Sequence, residues 1–194
     1  MNWWHLKQAA RIIGKGGIVA YPTEAVYGLG CDPLNGGAVL RLLELKRRSV
    51  YKGLILIAAT ARQLEQYLAP LNEETWAKIK RTWPGPVTWL LPAHPATPWW
   101  ITGGRDSVAV RVTAHPAAAA LCRAAGRALV STSANVSNHP PASTPLAVRV
   151  IFGDRVDLIL HGRTGELAKP TEIRDALTGK IVRGQAAEAE DHKG

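Results

Sequence analysis

Residues 53–59, Gly-Leu-Ile-Leu-Ile-Ala-Ala, form an apolar run with nothing polar to set on a wet face. A half-buried strand alternates with period two. An unbroken apolar run of this length fits a strand covered on both sides, in a sheet with helices above and below it. Ile18–Tyr21, Val87–Leu91 and Ala128–Ser131 read as further short strands, and Ser107–Val112 alternates as one. Between them the spacing predicts helices over Trp3–Lys15, Gly37–Arg47, Ala61–Leu68, Glu73–Thr82, Pro116–Gly126 and Pro145–Phe152. A strand near Val156–Leu160 follows. Glu172–Leu177 and Lys180–Arg183 flank Thr178-Gly179, a turn dipeptide, and read as a closing hairpin. Interleaved helices and strands with a late hairpin predict an α/β fold on a mixed sheet, not a purely parallel one.

The 194 residues suffice for one domain, expected over 1–185, with a polar tail at 186–194. No apolar run reaches the roughly 18 residues that a membrane helix needs. The N-terminus carries Lys7, Arg11 and Lys15 at helical spacing and lacks the apolar stretch of a signal peptide. A cytoplasmic chain is expected. Cys31 and Cys122 lie far apart with no CxxC spacing, so both are expected to be packed thiols. The net charge of +9 favours polyanionic partners. Charge alone does not separate a nucleic-acid binder from an ordinary basic protein.

Four segments place polar groups at the ends of buried strands, where open α/β sheets bind ligands. Tyr21-Pro22-Thr23-Glu24, followed by Tyr27-Gly28, suits a tight turn that presents a hydroxyl and backbone amides; Thr23 as a helix N-cap is the plainer reading. Lys46, Arg48 and nearby Lys52 can converge on an anion at a helix end, or form a solvated cationic terminus that the helix dipole favours anyway. Ser131, Thr132, Ser133 and Asn135 cluster hydroxyls and an amide where core packing needs none. Arg111 and Arg183 end strands and need anionic partners, either a ligand or Asp106, Glu172 or Asp175. A serine hydrolase would need His115 or His139 beside Ser133, and the G-x-S-x-G elbow is missing. Neither GxGxxG after a strand nor GxxxxGK[ST] occurs, so any nucleotide is held without those loops.

In order and spacing, YPTEAVYGLG at 21–30, LLELKRR at 42–48, KGLILIAA at 52–59, WPGPVT at 83–88, SVAVRVTAHP at 107–116, LVSTSANVS at 129–137 and KPTEIRDALTGKIVRGQ at 169–185 resemble the YrdC/TsaC-type threonylcarbamoyl-AMP synthase family. The resemblance covers about residues 8–185. It implies a twisted mixed α/β sheet with a large concave, basic cavity. It also implies that L-threonine, bicarbonate and ATP give threonylcarbamoyl-AMP and pyrophosphate, for a separate complex that modifies tRNA. Carried over position by position, Thr23, Arg111 and Thr171 would hold threonine. Lys46, Arg48, Lys52, Ser131, Ser133, Asn135 and Arg183 would hold ATP, with the catalytic roles at Lys46, Arg48 and Ser133. Mg²⁺ would arrive with ATP, without a dedicated protein metal site. Two positions depart from the family pattern: Ser49 follows Arg48 where proline is usual, and Thr171 replaces a serine. A tRNA-binding or double-stranded-RNA-binding module without catalysis is the second reading, from the charge. Carbamoyl transfer as in larger proteins with YrdC-like domains is the third; those carry zinc-finger and acylphosphatase-like segments not seen here.

Overall fold

The computed structural model describes residues 2–165 and 171–183, with the side chain of Arg183 outside that set. The expected tail at 186–194 therefore lies outside the described residues. The chain opens with helix α1 (Trp3–Gly14), where the Asn2 side chain accepts from the Trp4 N–H and so satisfies one free helix donor. Strands β1 (Val19–Pro22) and β2 (Tyr27–Gly30) follow, then α2 (Gly36–Leu45), β3 (Ile55–Ala58), α3 (Glu73–Lys80), β4 (Thr88–Pro92) and α4 (Trp99–Thr102). The second half runs β5 (Ser107–Val112), α5 (Pro116–Ala125), β6 (Leu129–Ser133), α6 (Pro145–Phe152), β7 (Leu158–Ile159), β8 (Ile173–Asp175) and β9 (Ile181–Arg183). No helix is long and apolar enough to cross a membrane among the described residues.

The nine strands form one sheet in the order β7-β1-β2-β6-β3-β5-β4-β8-β9. The pairs β1/β7, β3/β5 and β4/β8 are parallel and the others antiparallel, so the sheet is mixed as the sequence predicts. The closing hairpin is present as β8 and β9. Both cysteines are free and buried.

Three segments differ from expectation. Tyr27–Gly30, read with the turn before it, is a strand paired on both edges. Gly30 tolerates no side chain there, because a Cβ would lie 2.6 Å from the Val130 carbonyl. Residues 61–68 form two short 3₁₀ turns rather than one helix. Residues 92–106, rich in Pro, Trp and Gly and expected as a loop, contain α4, whose Trp100 indole donates to the Pro33 carbonyl at 3.0 Å.

The two faces of the sheet are treated differently, and that difference makes the site. One face carries Leu56, Ala58, Val108, Val110 and Val130, and α2, α3, α4 and α6 bury these residues. The other carries Val19, Tyr21, Ile57 and Leu129 at one end, where α1 and α5 cover them in a second core. Further along the same face, Ile55, Ala109 and Leu90 are only half-buried. Two helices are too few to cover nine strands, so part of the apolar face stays open.

Candidate functional site

The open part of the sheet is the floor of a cleft. A row across four adjacent strands runs Ser131, Ile55, Ala109, Leu90 in register. One cavity of about 330 Å³ lies over its β6 end, walled by Thr23, Val26, Gly28, Arg48, Arg111, Ser131, Ser133, Asn135 and Thr171. A second, of about 280 Å³, lies over the β4 end and is lined by Arg48, Lys52, Leu90, Thr102, Arg105 and Val182. Arg48, Leu54 and Ile55 belong to both, so the two are compartments of one groove.

At the first compartment, β1 stops at Pro22 and the chain reverses through 23–26. Thr23 is no helix N-cap: its hydroxyl and its N–H both donate to the Val26 carbonyl, at 2.7 and 3.1 Å, and close the turn into β2. The hydroxyl oxygen keeps its lone pairs for a donor in the cavity. Arg111 rises from β5 and is 4% exposed. Its partner is Glu24, at 3.2 Å from Nη2 to Oε2, and not Asp106, Glu172 or Asp175. Glu172 instead pairs with Arg174, and Asp175 caps the backbone of Leu177 and Thr178.

Lys46 follows the last residue of α2, and it does not converge with Arg48 on an open anion site. Its ammonium donates to the Ser133 carbonyl, to the Asn135 carbonyl at 2.8 Å and to Asn135 Oδ1 at 3.0 Å. The Ser137 N–H returns a bond to the Lys46 carbonyl at 2.8 Å. All three ammonium hydrogens are thus spent on the 133–135 loop. Burial, with Arg48 nearby, pulls the Lys46 pKa down to about 8. Ser133 Oγ donates to Asn135 Oδ1 at 2.6 Å, and Asn135 Nδ2 donates to the His139 carbonyl at 2.6 Å. Among the described residues no imidazole is hydrogen-bonded to Ser133, whose hydroxyl is given to Asn135, so they hold no serine–histidine pair of a hydrolase. Lys46 thus holds the loop that carries Ser133 and Asn135 at the cavity wall.

Arg48 turns the other way because Arg47 takes a φ of 48°, a left-handed residue that ends the helix. Arg48 Nη2 donates to the Gly53 carbonyl at 3.0 Å, while its Nε is buried without a partner. Burial and the like charge of Arg105 lower its pKa. Among the described residues, Arg48, Lys52 and Arg105 have no carboxylate partner. Three uncompensated cations facing one groove make an electrostatic seat for a polyanion. Arg105 and Glu24 escaped the sequence reading as functional residues. Arg105 sits in an irregular loop with no periodicity to place it, whereas Glu24, directly beside Thr23, was a findable carboxylate. Thr171 lines the first compartment. The Arg183 side chain lies outside the described residues, and its backbone pairs with Ile173. Ser49, in place of proline, precedes a short 3₁₀ turn at Val50–Lys52 that brings Lys52 to the groove.

A family model, Sua5/YciO/YrdC, described as telomere recombination, matches residues 11–184. The chain belongs to the Sua5/YciO/YrdC family. Proteins of Nitrosococcus oceani and Halorhodospira halophila named threonylcarbamoyl-AMP synthase are each 57% identical to it over 180 residues. Those alignments cover 93% of this chain and 97% and 94% of the two proteins. Within the same Sua5/YciO/YrdC fold, the structure of P. abyssi Sua5 complexed with L-threonine superposes with a TM-score of 0.89 at 35% identity. All of this chain is covered there, but only 58% of that longer one. E. coli YciO superposes with a TM-score of 0.77 at 28% identity, over 88% of this chain and 82% of that one. The twisted mixed sheet expected from the resemblance is therefore the observed fold.

Proposed function

We propose that this protein is a threonylcarbamoyl-AMP synthase, a nucleotidyltransferase that joins L-threonine, bicarbonate and the AMP moiety of ATP. The observation that carries the reading is the groove with two unlike ends. Arg111, paired with Glu24, and the Thr23 hydroxyl wall one compartment, Lys52 and Arg105 line the other, and Arg48 lies in both; among the described residues Arg48, Lys52 and Arg105 have no carboxylate partner. An amino acid fits the first and a polyphosphate the second. Relatives of this name at 57% identity, and a relative whose structure holds L-threonine on the same fold, support the activity.

Threonine places its carboxylate on Arg111 and its polar groups toward Thr23 and Thr171. Its amine forms a carbamate with bicarbonate, with loss of water. A carbamate oxygen then bonds to the α-phosphorus as the bond to pyrophosphate breaks. Arg48 lines both compartments, so it stands beside the phosphorus where negative charge develops. Ser131, Ser133 and Asn135 present hydroxyl and amide groups on the β6 side, fixed by Lys46. Lys52, Arg105 and Arg183 would hold the outer phosphates and nucleotide. Among the described residues no three His, Cys, Asp or Glu gather as a metal-ligand set. Mg²⁺ would instead ride on the ATP phosphates and neutralise part of their charge. The product then serves a cytoplasmic complex that transfers threonylcarbamoyl to tRNA. The purified protein, given ATP, bicarbonate and labelled threonine, should release pyrophosphate only when threonine is present. A lack of that dependence, or of the adenylate by mass spectrometry, defeats the proposal.

A further inference from the structure

Glu24 has the placement of a second-row group with one task. Its neighbours in sequence, Thr23 and Ala25, line the first compartment, as does Arg111, but Glu24 does not. Glu24 is buried, and so is Thr113, whose hydroxyl donates to Glu24 Oε1 at 2.6 Å. That hydroxyl oxygen in turn accepts the His115 N–H at 3.1 Å, and the Thr113 N–H is fixed to the Ala58 carbonyl at 3.0 Å. The Thr113 hydroxyl thus accepts from His115 and gives its one hydrogen to Glu24. The second oxygen, Oε2, sits 3.2 Å from Arg111 Nη2. From the opposite side Gly165 presses on the Glu24 backbone, so closely that a Cβ there would fall 2.5 Å from the Glu24 carbonyl oxygen. Its N–H also bonds the Thr23 carbonyl at 2.9 Å.

A guanidinium has five N–H donors, and among the described residues Glu24 is the one carboxylate within ion-pair distance of Arg111; the contact is electrostatic, since Glu24 Oε2 is buried without a hydrogen-bond partner. Arg111 Nε is buried with no acceptor. A buried, singly anchored arginine would otherwise swing or lose its place, because an uncompensated buried charge is costly. We propose that Glu24 and Thr113 are positioning residues, a relay from the β5–α5 turn that aims Arg111 at the threonine carboxylate without touching substrate. The inference rests on the reading that Arg111 grips that carboxylate. Its consequence is selective. The relay orders the amino-acid compartment only, so its loss weakens threonine binding and spares ATP.

The test is steady-state kinetics on Thr113→Val, Thr113→Ser and Glu24→Asp, with KM measured separately for threonine and for ATP. Valine keeps the shape but removes the hydroxyl. Aspartate keeps the charge but withdraws it by one methylene. Each should raise KM for threonine about tenfold, the order expected for losing one charge-assisted hydrogen bond. KM for ATP should stay within about twofold, inside ordinary context scatter. Thr113→Ser should restore the wild-type values. Equal rises in both KM values for Thr113→Val and Glu24→Asp would show a merely structural role and overturn the proposal, as would no change in either. Arg111→Lys separates the two levels. If it raises KM for threonine while Glu24→Asp and Thr113→Val do not, the relay fails and the carboxylate reading stands. If Arg111→Lys leaves KM for threonine unchanged, the carboxylate reading itself fails.

Discussion

Replacing Lys46 by Met tests the joint on which the 133–135 loop hangs. Lys46 is 3% exposed, and burial followed by repulsion from Arg48 lowers its pKa from 10.5 to about 8. A lysine shifted downward is one whose charged form the fold resists more than the unfolded chain does. Below about 8 both states hold the proton, so the penalty is fully felt there. Between about 8 and 10.5 the unfolded chain binds more protons, and stability rises with pH across that window. Integrated from neutral pH to pH 9.5, those two values give a gain of about 2 kcal/mol. Met carries no such dependence. The gap in unfolding free energy between wild type and Lys46→Met, from urea melts at about pH 7, 8.5 and 9.5, should therefore widen in favour of the wild type by about 2 kcal/mol. At neutral pH the two proteins should lie closer. The variant leaves the Ser133 and Asn135 carbonyls without their donor, at about 1–3 kcal/mol each, but is relieved of a desolvated charge. Activity has no such offset. Loss of the clamp lets the loop drift, and about 1 Å of misplacement costs on the order of 100-fold in rate. A gap that stays flat from pH 7 to 9.5 would refute the buried, strained ammonium. Unchanged activity would refute its hold on the loop.

Arg105→Ala should raise KM for ATP about tenfold while KM for threonine holds, because it removes from the far compartment one of the three cations that have no carboxylate partner among the described residues; initial-rate kinetics checks both. The same variant should relax the like-charge pressure on Arg48, so ATP binding should lose part of its salt dependence, measured by calorimetry at two ionic strengths. Ser133→Ala removes the hydroxyl that donates to Asn135 at 2.6 Å and should lower kcat about tenfold with the fold intact by circular dichroism. Gly30→Val should abolish soluble expression, since its side chain would meet the Val130 carbonyl and the Tyr21 ring inside the paired strands.

The elements that could be read from sequence were those whose pattern is local. Ser107–Val112 and Pro145–Phe152 match the structure residue for residue, because alternation marks the first and Pro145 with the Thr144 cap marks the second. Tyr27–Gly30 did not read as a strand because two of its four residues are glycine, chosen for close approach of neighbouring backbone and not for strand propensity. Residues 61–68 carry helical spacing, yet Leu64 ends one short turn at 61–63 and begins another at 65–67.

For the site, the cations and hydroxyls were legible as residue types, but their division of labour was not. Lys46 and Arg48 look equivalent in the sequence, two residues apart in one basic cluster. A single left-handed residue between them, Arg47, sends one inward to clamp a loop and the other to the groove. The same holds for the sheet face. Ile55 and Ile57 are both apolar and point the same way, yet Ile57 lies under α1 and α5 while Ile55 is left as open floor. Periodicity assigns a residue to a face, whereas only tertiary packing decides whether that face is covered. In this fold the uncovered remainder of an apolar face, bordered by Arg48 and Arg111, is what becomes the substrate groove.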